Sequence, residues 1–236
     1  MAKYIVEPKI FEMFPNFRRG VIVATGIDNN HSNAQTSALL GQAIANIDAQ
    51  QIVDEKERIA VWNSAYEKFG VNPNKFTPSI RFLMEQMRKG KPPRSINKIV
   101  DLFNVTSLKW VIPCGGDDLD TLDGGDLCLG IAQGDETFAP LFKPESIENP
   151  IAGEVIYYTP QSKRVMCRRW TWRNADFSKL SEQTKRVAIN IDMMMPPFTL
   201  DNLQEAMAGL TELVEKLCGG TVQTHILSPE SPEFEI

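Results

Sequence analysis

Prolines at 92, 93 and 113 bracket the stretch PPRSINKIVDLFNVTSLKWVIP and leave room between them for one helix. Ser95 stands where an N-cap is expected. Ile96, Ile99, Val100 and Phe103 recur at three- and four-residue steps, which predicts a core-facing stripe. A second stripe, Asn97, Asp101 and Asn104, falls in one line at the ~100° per residue of an α-helix. Asparagine and aspartate compete for backbone hydrogen bonds and cost about 0.5 kcal/mol each inside a helix. Two readings stay open for them: a wet face, or a fixed hydrogen-bonding role in a site or buried network.

A chain of 236 residues suffices for one large domain or two small ones. No run approaches the ~18 consecutive apolar residues of a membrane span. The first twenty residues lack the pattern of a signal peptide, so a cytoplasmic location is expected. Cys114, Cys128, Cys167 and Cys218 lie far apart with no CxxC pair and read as small hydrophobes rather than a disulfide framework or zinc site. With a net charge of −5, any contact with RNA requires a local basic patch. Arg88, Lys89 and Lys91, with Arg94 nearby, form the one candidate, although such runs are commonly solvated loops.

Residues 10–19 read as an irregular lead-in carrying Phe11, Phe14 and Phe17, and Gly20 to Ile27 as a buried strand. Helices are expected over about 33–48 and 53–69, and from Pro78 to Arg88 with Thr77 as cap. The bracketed helix follows as the fourth. Beyond Pro113 the pattern turns to strands: LCLGIA, Thr137 to Phe142, 153–158, Arg164 to Trp172, and Arg186 to Asp192. Thr199 to Leu217 is a long amphipathic helix with Asp201 and Gln204 resembling a capping box, and a strand from Val222 to Leu227 follows. Helices first and strands later indicate one layered α+β domain over 1–228, with a core about 57–228, residues 20–56 packed on it, and 229–236 as a flexible tail.

The segment Cys167 to Asp176 sets three arginines among two tryptophans. As a strand it would put Arg169, Thr171 and Arg173 on one face and Arg168, Trp170 and Trp172 on the other. That arrangement suits stacking on bases or holding an anion, and equally a structural cation–π edge. Asn174 and Asp176 lie just past the strand end, where loops often bear functional groups. The cluster Asp117, Asp118, Asp120, Asp123 and Asp126 lacks the spacing of a calcium loop and reads as a solvated turn; no metal or cofactor is expected. His31 and His225 are far apart, and hydrolase, protease and nucleotide motifs are missing. Gly115-Gly116 follows no expected strand, so phosphate cradling there is not expected.

At Arg94, Ile96, Asn97, Val100, Asp101 and Asn104 the chain resembles the B3/B4 domain of the bacterial phenylalanyl-tRNA synthetase β subunit. More loosely, the likeness runs from about Trp62 to the strand TKRVAINID. Stand-alone B3/B4 proteins are more similar still, through GVIVATGIDN, NPNKFTPSI and CRRWTWR. The resemblance implies a layered α+β fold with a pocket between strands and the bracketed helix. In the synthetase that pocket hydrolyses tyrosine wrongly attached to tRNA, without a metal or covalent nucleophile. Asn104 matches a pocket asparagine, while the family histidine falls at Gly115 and its tyrosine-reading glutamate near Asn190. The glycine-rich pocket segment is here CRRWTWRNAD.

The residues expected to bind substrate are therefore Asn97, Asp101, Asn104, Arg168, Arg169, Trp172, Arg173, Asn174, Asp176 and Asn190. An arginine-lined pocket would favour a carboxylate or other anion. tRNA or aminoacyl-tRNA and an amino-acid-like ligand are the implied partners. Three functions follow: hydrolysis of a mischarged aminoacyl-tRNA, a non-catalytic amino-acid or RNA-binding module, or action on a free small carboxylate.

Overall fold

The computed structural model describes residues 2–30, 33–49, 55–122 and 124–236; His31 and Asp123 lie outside them. Two sheets face each other. Strands β1 (Lys3–Val6), β4 (Leu127–Ile131), β5 (Val155–Thr159), β6 (Arg164–Arg168), β7 (Arg173–Asn174) and β10 (Glu233–Glu235) form one, in the order β10-β1-β4-β5-β6-β7. The other has the order β3-β8-β2-β9, from β2 (Phe17–Thr25), β3 (Cys114–Asp118), β8 (Arg186–Met194) and β9 (Thr221–Leu227). The helices are α1 (Pro8–Met13), α2 (Ala34–Ala49), α3 (Glu55–Lys68), α4 (Ser79–Arg88), α5 (Lys98–Trp110) and α6 (Leu200–Cys218). The α+β class is as expected.

The period-two alternation of β8 explains the layering. Val187, Ile189, Ile191 and Met193 face one way and share a core with Ile99 and Leu102 of α5 and Leu203, Ala206 and Leu210 of α6. Ala188 and Met194, on the opposite face, join the core between the sheets with Tyr4, Phe17, Tyr157 and Trp170. Strand β2 repeats the device with Val21 and Val23 towards the seam and Ile22 and Ala24 towards α6. At Gly20 a Cβ would stand 2.5 Å from Met207 Sδ, so glycine is what lets α6 lie so close to the strand.

Several expectations are corrected. The helix cap is Asn97, not Ser95: its side chain accepts a hydrogen bond from the Val100 amide at 3.0 Å. Ile96 is exposed rather than core, because the helix begins after it. Pro78, not Thr77, occupies the N-cap of α4, with ψ at 143°. The capping box of α6 is Thr199 with Asn202, two residues earlier than the expected Asp201–Gln204 pair. The lead-in contains a short helix, α1, preceded by a strand, and Gly115-Gly116 lies within strand β3. Residues 137–142 make only isolated bridges.

The tail is ordered as well. Glu233–Glu235 pairs antiparallel with β1, and Phe234 stacks between Tyr4 at 5.6 Å and His225 at 3.8 Å. An apolar ring among glutamates gives that short strand its anchor. Among the described residues no helix is long and apolar enough to cross a membrane.

Candidate functional site at the seam of the two sheets

The strand read over Arg164 to Trp172 ends at Arg168. Arg169 and Trp170 take left-handed backbone angles, with φ at 48° and 63°, which break the expected alternation. Such angles cost a non-glycine residue on the order of 1 kcal/mol or more and need compensation. Trp170 finds it in the core. Its ring meets Phe14 at 4.9 Å, Phe17 at 4.9 Å and Trp62 at 5.4 Å, each edge to face. Its Nε1 donates to Asp192 Oδ2 at 3.0 Å.

Asp192 is the hub of a buried network. Cross-strand register sets Arg19 of β2 directly opposite Asp192 of β8. Arg19 Nε donates to Oδ1 at 2.7 Å and Nη2 to Oδ2 at 2.8 Å, a bidentate fork with both residues almost wholly buried. Burial disfavours the guanidinium charge, but Asp192 together with Tyr4 and Tyr157 outweighs it and raises the Arg19 pKa. Arg19 Nη1 donates to the Tyr4 hydroxyl at 3.1 Å, which donates in turn to Asn190 Oδ1.

Beside this network lies a cavity of about 90 Å³. Arg19, Asn190 and Asp192 line it from one sheet, with Pro113 and Cys114 to Asp117 at its edge. Tyr157, Cys167, Trp170, Thr171 and Asn174 close it from the other side, with Ser79 at the start of α4. At roughly 10–15 Å³ per water, the space holds several waters or a small ligand group. Gly115 sits directly opposite Asn190 in the β3–β8 ladder, and a Cβ there would meet nothing within 4 Å. Of the four places aligned with the family pocket, Gly115, Asn190 and the 167–174 segment meet at one cavity, and Asn104 does not.

Two further polar groups face it. Among the described residues the Tyr157 hydroxyl, in a residue 2% exposed, has no well-aligned hydrogen-bond partner, although the Tyr4 hydroxyl lies within its reach. Asp117 accepts from the Ser178 hydroxyl at 2.7 Å through Oδ1. Burial raises the Asp117 pKa from 3.8 to about 7; the Ser178 bond and the Arg19 charge pull it down, and Asp118 pushes it up. The reading of this cluster as a solvated turn is therefore corrected: Asp117 and Asp118 are buried in strand β3. Burial likewise lifts both cavity thiols, Cys114 well above 9.0 and Cys167 to about 12, so both stay neutral.

The other expected site residues lie elsewhere. Asn97 caps α5 and also donates to the Leu180 carbonyl at 3.4 Å. Asp101 accepts from Ser95 Oγ at 2.5 Å and the Ile96 amide at 2.9 Å, tying down the entry to the helix. Asn104, half-buried, is not among the cavity residues. Of the polar stripe, two members thus do structural work. Arg168 is held by Glu154, at 3.1 and 2.6 Å, and by Glu148 at 2.8 Å. Arg169 Nη2 reaches Glu154 at 2.9 Å while its guanidinium lies 3.7 Å from the Phe76 ring and 4.5 Å from Trp172. Arg173 sits by Glu148 and Trp172. Asp176 accepts from the Phe142 amide and from Lys179, which lowers its pKa.

Asn174 and Asn190 alone of the expected set line the cavity. Arg19, Asp117, Tyr157 and Asp192 were missed by the sequence reading. An arginine entering an otherwise apolar strand, and an aspartate closing another, were the available signals. Lys89, Lys91 and Arg94 are exposed, and Arg88 pairs with Glu55. Among the described residues no group of three His, Cys, Asp or Glu is placed to hold a metal.

No curated protein matches the chain. Among solved structures it is similar to an N-terminal fragment of the phenylalanyl-tRNA synthetase β subunit from Pyrococcus horikoshii, at 11% identity and a TM-score of 0.43. That alignment covers 93% of this chain and 49% of the other, so this chain spans about half its length. The family model for the B3/4 domain matches residues 61–219, and with two thirds of its length so matched the chain belongs to the B3/4 domain family.

Proposed function

We propose that this B3/4 protein receives the aminoacyl end of a charged tRNA in the seam cavity and hydrolyses its ester. The observation that carries the reading is the meeting of Gly115, Asn190 and the 167–174 segment around one polar cavity. These positions correspond to those of the synthetase editing pocket, with the family's histidine, glutamate and glycine-rich segment replaced in this chain by Gly115, Asn190 and CRRWTWRNAD. A water in the cavity would add to the ester carbonyl, the ester C–O bond would break, and the proton would pass to the departing ribose hydroxyl. The cavity thiols are neutral and poor nucleophiles, which favours water over a covalent route.

The basic loop supports contact with RNA. Ser79 at the cavity begins α4, and Arg88 ends it nine residues along, about 13.5 Å away at 1.5 Å per residue. Lys89, Lys91 and Arg94 follow on the exposed surface, where phosphates could be met. Action on a free carboxylate has less support. Arg168 and, through Nη2, Arg169 pair with Glu154 away from the cavity lining, and the arginine at the cavity, Arg19, is neutralised by Asp192.

The test is release of amino acid from a panel of mischarged tRNAs, with Asn190→Ala beside wild type. Hydrolysis of at least one member, reduced in the variant, is expected. Wild type that hydrolyses none and binds no tRNA at low salt would overturn the proposal.

A further inference from the structure

We propose that the cavity selects ligands bearing a positively charged amine, which pairs with the Asp117 carboxylate. The inference deepens the aminoacyl reading and rests on it for the rest of the ligand. Two carboxyl groups line the cavity, and they differ. Both Asp192 oxygens are taken by Arg19, and Oδ2 also accepts from Trp170, so its charge and lone pairs are spoken for. Asp117 has one neutral partner, Ser178, through Oδ1. Among the described residues it makes no ion pair, and it is 7% exposed. A carboxylate so placed is costly to ionise without a cation, and a bound ammonium supplies one.

The surroundings leave that role to Asp117. Asp118, on the same strand, turns away: it accepts from the Asp120 amide and from Thr184. Tyr4 of β1, Tyr157 of β5 and Cys167 of β6 lie within electrostatic range of Asp117, and burial holds all three neutral. The nearest positive charge is Arg19, already matched to Asp192. The Tyr157 hydroxyl, which lines the same cavity, can donate to an acyl oxygen, so an α-amino ester or amide would meet a donor and an acceptor together. Pairing requires the carboxylate form. Affinity for a permanently charged amine should therefore rise with pH through about 7 and level off above it.

The experiment is calorimetric binding of amino acid amides and of the matching desamino carboxamides at pH 6 and pH 8 in an amine-free buffer, with each amide's affinity expressed per ammonium form, because its own amine titrates at about pH 7–8. These probes resist hydrolysis, so the outcome does not depend on the ester chemistry. Wild type is expected to bind at least one amide ten-fold or more tighter than its desamino partner at pH 8, with the preference shrinking at pH 6. Asp117→Asn should abolish the preference. Ser178→Ala should keep it but move its onset to higher pH, since the lost hydrogen bond favoured the charged form. Equal affinity for the two probes in wild type, no binding of either, or a preference retained in a folded Asp117→Asn protein overturns the inference. Deacylation of tRNA with no amine preference sinks this inference alone, whereas amine-selective binding without deacylation sinks only the hydrolytic reading.

Discussion

Replacing Asp192 by alanine should be among the most damaging single changes in the molecule. The carboxylate takes two hydrogen bonds from Arg19 and one from Trp170, with side-chain exposures of 3% and 4% for the ion pair. Removing it leaves a guanidinium buried without a counter-charge, a loss of about 3–5 kcal/mol. The orphaned indole N–H adds roughly 1 kcal/mol more. For a protein of this size each kcal/mol lowers the melting temperature by about 2–4 °C, so a drop on the order of 10 °C is expected. Urea denaturation and thermal melting read both numbers. The double variant Arg19→Met/Asp192→Leu removes the charges together, and its stability should lie within about 2 kcal/mol of wild type, well above either single change. A loss under 1 kcal/mol for Asp192→Ala, or a double variant as unstable as the two singles added, would refute the network described.

Four shorter predictions follow from the same geometry. The Asp117 pKa is raised from 3.8 to about 7 by folding, so the native state binds the extra proton and stability falls as pH climbs between those values. That contribution amounts to roughly 4 kcal/mol by the 1.36 kcal/mol per unit relation, and Asp117→Asn should remove it, visible as a flatter stability profile between pH 4 and pH 8. In Gly130→Ala the new Cβ would lie 2.0 Å from Glu7 Oε1, displacing the carboxylate that accepts from Tyr158 at 2.9 Å and the Ile131 amide at 3.1 Å. A loss of about 1–3 kcal/mol in chemical denaturation is expected, and a neutral result would mean Glu7 holds nothing in place. Gly20→Ala meets the flexible end of Met207 instead, so overpacking should cost about 1–3 kcal/mol, partly restored by Met207→Ala. If the loop touches phosphates, changing Lys89, Lys91 and Arg94 together to alanine should flatten the salt dependence of tRNA binding by up to about 0.9 per lost contact, measured by titration at several salt concentrations; an unchanged slope removes the loop from the interface.

The sequence by itself determined the element types. Hydrophobic periodicity runs along the chain, and each helix or strand needs only its own residues to display it, so α2 to α6 and β4, β5, β8 and β9 fall close to where the letters put them. Family membership was also legible, because motifs such as Arg94 to Asn104 are contiguous. Details that depend on a neighbour went astray: Ser95 looked like a cap but binds Asp101, and Glu233–Glu235 looked like a loose tail until β1 gave it a partner.

Only the tertiary structure decided what faces the cavity. Two backbone angles at Arg169 and Trp170 swing the tryptophan inward and tie the arginines to Glu154, reversing the faces that strict alternation assigns. Register places Arg19 across from Asp192 and Gly115 across from Asn190, though more than 70 residues separate each pair. Burial then sets the chemistry, since the same aspartate that would be an ordinary surface acid at a turn becomes, in β3, a carboxyl poised near neutrality. Which side chains share a cavity, and how dry that cavity is, are properties of long-range pairing that no local pattern encodes.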